Sequence, residues 1–155
     1  MVLAEILNKD RILFNVKFQN KEEAISQLVD TLRTEPKVKD VEEIKKSVLE
    51  REKILSTGVG NGFAIPHAKT NAVDGFVLAV AKLAEPLDFN SHDGQPVRLI
   101  FLLVGKEDMV SEHIKMLSRI SRLINNDEFR QKLFDASSSD ELYELLKTEE
   151  EKLFS

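Results

Sequence analysis

At 155 residues, the chain is long enough for one domain with its own core, and its lack of cysteine excludes disulfides, thiolate catalysis and sulfur-ligated zinc. A formal net charge of −5 argues against general nucleic-acid binding, which calls for a basic surface. With 42% apolar and 32% charged residues the composition is soluble and globular, and direct membrane insertion is excluded because the longest apolar run, Leu99–Val104, is far short of a span. The N-terminus lacks the basic-then-apolar plan of a signal peptide, so a cytoplasmic location is expected.

Arg11–Val16 reads as a first strand. Asn20 with Glu23 forms a capping-box pattern, and the helix it opens carries Ala24, Ile25, Leu28, Val29 and Leu32 at helical spacing. Asp40 with Glu43 repeats the signal before a second helix to about Lys53, burying Val41, Ile44, Val48 and Leu49. Phe63–Ile65 reads as a short buried strand, Phe76–Leu83 as a longer one, and Val97–Val104 as a central strand covered on both faces. Between the last two, Leu87–Phe89 suggests a short edge strand and Asp93-Gly94 a turn. Ser111 is expected to cap a helix from about Glu112 to Ile124 whose buried stripe is Ile114, Leu117, Ser121 and Ile124. A short helix follows from Asn126 or Asp127 through Phe134. A final one, capped by Ser138 with Glu141, buries Leu142, Leu145, Leu146 and Leu153. No repeat or linker divides residues 1–155. These elements predict an α/β single-domain sandwich with a mixed, mostly parallel sheet flanked by helices.

Residues 56–69, Ser-Thr-Gly-Val-Gly-Asn-Gly-Phe-Ala-Ile-Pro-His-Ala-Lys, hold the densest chemistry. Gly58, Gly60 and Gly62, with Asn61 among them, mark a tight loop able to turn backbone N–H groups toward an anion. Pro66 has no N–H to give a sheet, so pairing is expected to stop there and leave His67 stiffly mounted at a strand end. An uncharged imidazole, with an ordinary pKa of about 6.5, is a nucleophile that attacks phosphorus and later releases the group to a second acceptor. Such a carrier requires donors for phosphoryl oxygens, a positive field and access for two partners in turn. Arg51 offers a fork of donors that lysine does not copy. His113, one or two positions inside the helix expected to start at Ser111, sits where free N–H groups and the helix dipole favour an anion. Phe63, Ile65 and Val59 are expected to form an apolar rim for the partner.

The segment Ser56–His67, above all Gly-Asn-Gly-Phe-Ala-Ile-Pro-His, resembles the active-site motif of enzyme IIA domains of the bacterial phosphoenolpyruvate-dependent phosphotransferase system. The class is that of the fructose/mannitol and nitrogen-regulatory proteins. Pro86-Leu-Asp-Phe with Asp93-Gly-Gln-Pro-Val-Arg-Leu-Ile-Phe-Leu-Leu is similar to the family's central strand and its approach. His113 with Ile114, Leu117, Ile120, Leu123 and Ile124 resembles its histidine-bearing helix, and Ser137–Leu146 its last helix. The likeness runs over essentially the whole chain.

By that resemblance, His67 is phosphorylated on Nε2 by phosphohistidine HPr or a paralogue and then donates to a IIB domain of a sugar permease. Arg51 stabilises the phosphoryl group and His113 supports it. Gly58, Gly60, Asn61, Gly62, Phe63 and Ser111 belong to the partner-facing surface. The chain is then a phosphotransferase component with a phosphohistidine intermediate, using no metal and no organic cofactor. The alternative use is a nitrogen-regulatory module whose phosphorylation state controls kinases, transporters or transcription regulators. Two departures stand out: Phe63 where smaller aliphatics are usual, and Gly105-Lys106 in place of Ala/Val-Pro after the central strand.

Overall fold

The computed structural model describes residues 2–154. In chain order its elements are α1 (Leu3–Ile6), β1 (Leu7–Val16), α2 (Lys21–Asp30), α3 (Val41–Ile54), β2 (Gly58–Gly60), β3 (Phe63–Ala64), β4 (His67–Lys69), β5 (Phe76–Leu87), β6 (Val97–Gly105), α4 (Val110–Leu123), α5 (Asp127–Asp135) and α6 (Ser139–Phe154). The strands form one sheet in the order β1-β5-β6-β3-β2, with β4 also paired to β6. β1 runs parallel to β5, and β3 and β4 run parallel to β6; β5 with β6 and β2 with β3 are antiparallel. The sheet is therefore mixed, with parallel ladders in the majority, as the sequence predicts.

Cover on both faces explains why β5 is apolar over residues 76–81 and β6 over residues 99–104, with alternate side chains going to opposite layers. Val77, Ala79 and Ala81 with Ile100, Leu102 and Val104 face Ile25, Leu28, Ile44 and Val48 of α2 and α3. Leu78 and Val80 with Leu99, Phe101 and Leu103 face Met116, Ile120, Leu133 and Leu142 of the C-terminal helices. Caps fix where helices begin. The Asn20 side chain accepts from the Glu23 N–H at 2.8 Å, Asp40 from Glu43 at 3.1 Å, and Ser138 from Glu141 at 3.0 Å. Among the described residues, no helix is long and apolar enough to cross a membrane.

Three expectations change. β1 begins at Leu7 rather than Arg11, behind α1, whose Leu3 and Ala4 N–H groups donate to the Glu150 carboxylate at 2.6 and 3.1 Å. That anchor lies at the far end of the chain, beyond any local pattern. Leu87 continues β5 and pairs with Val97 instead of starting an edge strand. Finally, α4 starts at Val110 with Met109 as its uncapped flank, so Ser111 is its exposed second residue and caps nothing. The buried stripe becomes His113, Met116, Ile120 and Leu123, one position back from the expected one; Ile114 is 62% exposed.

Candidate active site

His67 opens β4 opposite Leu103 of β6. Pairing does not stop at Pro66: its carbonyl accepts the Leu103 N–H at 3.0 Å. Proline cannot donate, but it can accept, and only that side of Pro66 faces β6. The histidine is thus the first residue of a resumed strand, with Ala68 turned into the core and Lys69 on the side of His67. The His67 Nδ1 lies 2.8 Å from the Ile65 carbonyl oxygen. A carbonyl only accepts, so Nδ1 carries the proton and the lone pair resides on Nε2. Burial lowers the ring's pKa most; Arg51 and Lys69 add to this, while the Ile65 hydrogen bond and the Glu52 charge oppose it. The net effect keeps the imidazole uncharged and nucleophilic near neutrality.

His113 is the fourth residue of α4, and its own N–H is already bonded to Met109, so it lies deeper than the free N–H groups of the helix start. Its ring is centred 5.5 Å from that of His67 at an interplanar angle of 51°. The residue is only 3% exposed, and neither ring nitrogen has a hydrogen-bond partner among the described residues. Burial, with the charges of His67 and Lys69, pushes its pKa down to about 4. Room for this ring comes from Gly105 at the end of β6, where an added Cβ would fall 2.9 Å from His113 Nδ1 and 2.4 Å from Phe76 Cε2. Gly105 is a site residue that the sequence offered only as a departure from a familiar pattern.

Arg51 completes the group. One guanidinium nitrogen donates to the Leu55 carbonyl at 2.9 Å, tying the side chain to the end of α3. Arg51, His67 and His113 line one cleft of about 440 Å³ together with Ser47, Glu50, Ile54, Ala68, Lys69, Ile114 and Leu117. Ser47, Glu50, Arg51 and Ile54 share one face of α3 by helical spacing. Lys69 went unassigned in the sequence, although its distance of two residues from His67 in a strand is the signal for a shared side.

The glycine loop does something other than cradle an anion. Gly58, Gly60 and Gly62 are buried, and none of them lines the cleft. Gly62, at φ +86°, lies under Phe134, and a Cβ at Gly58 would strike Ser91 Oγ at 2.3 Å. Asn61, exposed and at φ +57°, donates its N–H to Asp93 at 3.0 Å. Phe63 is fully buried and stacks on Phe101 and Phe134 at 6.3 and 5.1 Å, so it is core and cannot meet a partner. Ile65 is likewise buried. Val59 is 48% exposed, as a rim residue should be, but lies outside the cleft lining; the apolar side chains lining the cleft are Ile54, 80% exposed, with Ile114 and Leu117. Ser111 is exposed but outside the cleft lining. Among the described residues, no group of three or more histidine, aspartate and glutamate side chains is arranged to hold a metal.

Comparison with known proteins bears on this site. The family described as "Phosphoenolpyruvate-dependent sugar phosphotransferase system, EIIA 2" matches residues 5–149. The PTS system fructose-specific EIIABC component of Bacillus subtilis is 36% identical over 94% of this chain, which spans only 23% of that longer protein. A nitrogen regulatory protein of Pseudomonas aeruginosa is 33% identical over 93% of this chain and 94% of its own length. Among solved structures, the nitrogen regulatory protein IIA-Ntr from Neisseria meningitidis superposes with a TM-score of 0.88 at 29% identity, covering 94% of this chain and 99% of that one. The chain therefore belongs to the EIIA 2 family of the phosphoenolpyruvate-dependent sugar phosphotransferase system, whose members are components of a phosphoryl relay.

Proposed function

We propose that the protein accepts a phosphoryl group on Nε2 of His67 from a phosphohistidine carrier of the HPr type and passes it to a IIB partner of a sugar permease. The observation carrying this reading is the 2.8 Å contact between His67 Nδ1 and the Ile65 carbonyl, which fixes the tautomer with a free lone pair on Nε2. As Nε2 bonds to phosphorus, the donor's N–P bond breaks and its electron pair returns to the donor imidazole. Positive charge develops over the His67 ring, and the Ile65 carbonyl stabilises it through Nδ1–H. Arg51 and Lys69 offer positive charge to the phosphoryl oxygens, and uncharged His113 offers one N–H. Onward transfer runs the same way: the acceptor's nucleophile bonds to phosphorus and Nε2 regains its pair. The fructose-specific relative favours a sugar-transport setting.

Incubation with phosphoenolpyruvate, enzyme I and HPr should yield an acid-labile phosphate adduct. His67→Ala should abolish it, and an adduct surviving that change would overturn the proposal. His113→Ala should slow labelling by roughly tenfold, the equivalent of one hydrogen bond to a charged group, while leaving it possible.

A further inference from the structure

We propose that Glu52 is a positioning residue for His67, acting through Thr57 and Ile65; the inference rests on the reading that His67 Nε2 is the nucleophile. Glu52 follows Arg51 on α3 but points inward and is 6% exposed. Its carboxylate accepts from the Thr57 N–H at 2.9 Å, from the Thr57 hydroxyl, and from the Lys21 ammonium at 3.3 Å. Thr57, itself buried, uses its carbonyl to accept the Ile65 N–H at 2.9 Å. Ile65 in turn gives its carbonyl to His67 Nδ1. Both backbone groups of Ile65 are thereby committed, one to Thr57 and one to the imidazole. The Ser56 hydroxyl, bonded to the Phe89 carbonyl at 2.6 Å, anchors the outer side of the same turn, which leaves Glu52 as the inner anchor.

The chemistry explains why a carboxylate occupies this position. Three donors converge on it, and a carboxylate is the side-chain group that accepts everywhere and donates nowhere. An amide would supply one acceptor oxygen only, and its NH₂ would force the Thr57 hydroxyl to accept instead of donate. The buried negative charge also opposes the burial and cations that disfavour a charged His67 ring. It therefore assists the ring as positive character develops during N–P bond formation. One residue thus joins the helix carrying Arg51 to the peptide that sets the nucleophile's tautomer.

Long-range ¹H–¹⁵N spectra of the His67 ring, read beside the rate of labelling from phospho-HPr, test this in the intact chain. The unaltered protein should show one tautomer, protonated at Nδ1. Glu52→Gln and Thr57→Val should each bring in the Nε2–H tautomer and slow labelling on the order of tenfold, as a small misplacement of a reacting group does. Thr57→Ser, which keeps the hydroxyl, should behave as the unaltered protein on both measures. An unchanged tautomer in Glu52→Gln and Thr57→Val would overturn the proposal, whatever happens to the rate. If Glu52→Gln does not fold, Thr57→Val decides, since it removes a single hydroxyl. Should the unaltered protein take no label while the tautomer still follows the variants, the relay reading fails and the positioning role stands.

Discussion

His67 sits at the start of a three-residue strand with one ring nitrogen bonded to Ile65, whereas His113 sits one turn into a helix with neither nitrogen bonded. The strand histidine is half-buried; the helical one is almost fully enclosed. Both are kept uncharged, chiefly by burial. Yet the partnered ring has one tautomer and one defined lone pair, while the unpartnered ring holds a donor and an acceptor in reserve. On the proposed function, the same side chain serves as nucleophile or as waiting hydrogen-bonding group according to what its nitrogens touch. A buried polar group without a partner costs about 1–3 kcal/mol, so His113 marks a place where stability yields to function.

The largest effect on this contrast is expected from Gly105→Ala. Its Cβ would land 2.4 Å from Phe76 and 2.9 Å from His113, and both rings are buried. Overpacking of this kind costs about 1–3 kcal/mol in urea unfolding. Displacing the His113 ring should also slow labelling by up to roughly tenfold, the effect of losing that ring altogether. A normal labelling rate in a folded Gly105→Ala protein would show that the spacing of the two rings is irrelevant. Next comes His113→Leu, which deletes two orphaned nitrogens and keeps an apolar filler. It should raise stability by about 1 kcal/mol while slowing transfer roughly tenfold. A loss of stability would mean that the nitrogens are satisfied by water, and the contrast between the two histidines would collapse.

The smallest effect is on pH dependence. The His113 pKa falls from 6.5 to about 4 in the folded protein, and that of His67 also falls. Between these values the unfolded chain binds protons that the folded chain does not, so stability rises with pH in that window. The contribution is complete above about pH 6.5 and is lost as pH drops through the folded value. Urea midpoints at about pH 7.5 and about pH 5 should therefore diverge less in His113→Leu than in the unaltered protein. Equal divergence would place the acid sensitivity elsewhere.

Local physics made much of the molecule legible. Asn20, Asp40 and Ser138 announced their helices because a cap is a short-range contact, and the run Leu99–Val104 announced a strand covered on both faces. His67 stood out through its glycine-rich approach and Pro66. What misled was ambiguity between faces. α4 is apolar at Ile114 and Leu117 as well as at Met116, Ile120 and Leu123; Ile114 serves the exposed rim of the cleft, and Leu117 lines the cleft while packing against the edge of the core. Reading that pair as buried moved the helix start to Ser111 and left His113 nearer the surface than it is. The glycines of residues 58–62 were read for their N–H groups, although their use is close packing against Ser91, Asp93 and Phe134. Glu52 looked like one more charge on a charged helix end, because a buried carboxylate is recognised only by the donors that fold over it.

β6 pairs directly with the strand bearing His67 and, at its far end, passes Gly105 and runs on toward the helix bearing His113. Both imidazoles therefore hang from a single rail, and the gap between them is gauged by the most enclosed strand of the sheet. The loops and rim that greet visitors can drift in sequence without altering that gauge. On the proposed relay, in which two different partners call in succession, the outward features can change while the cargo is still delivered from an unvarying distance.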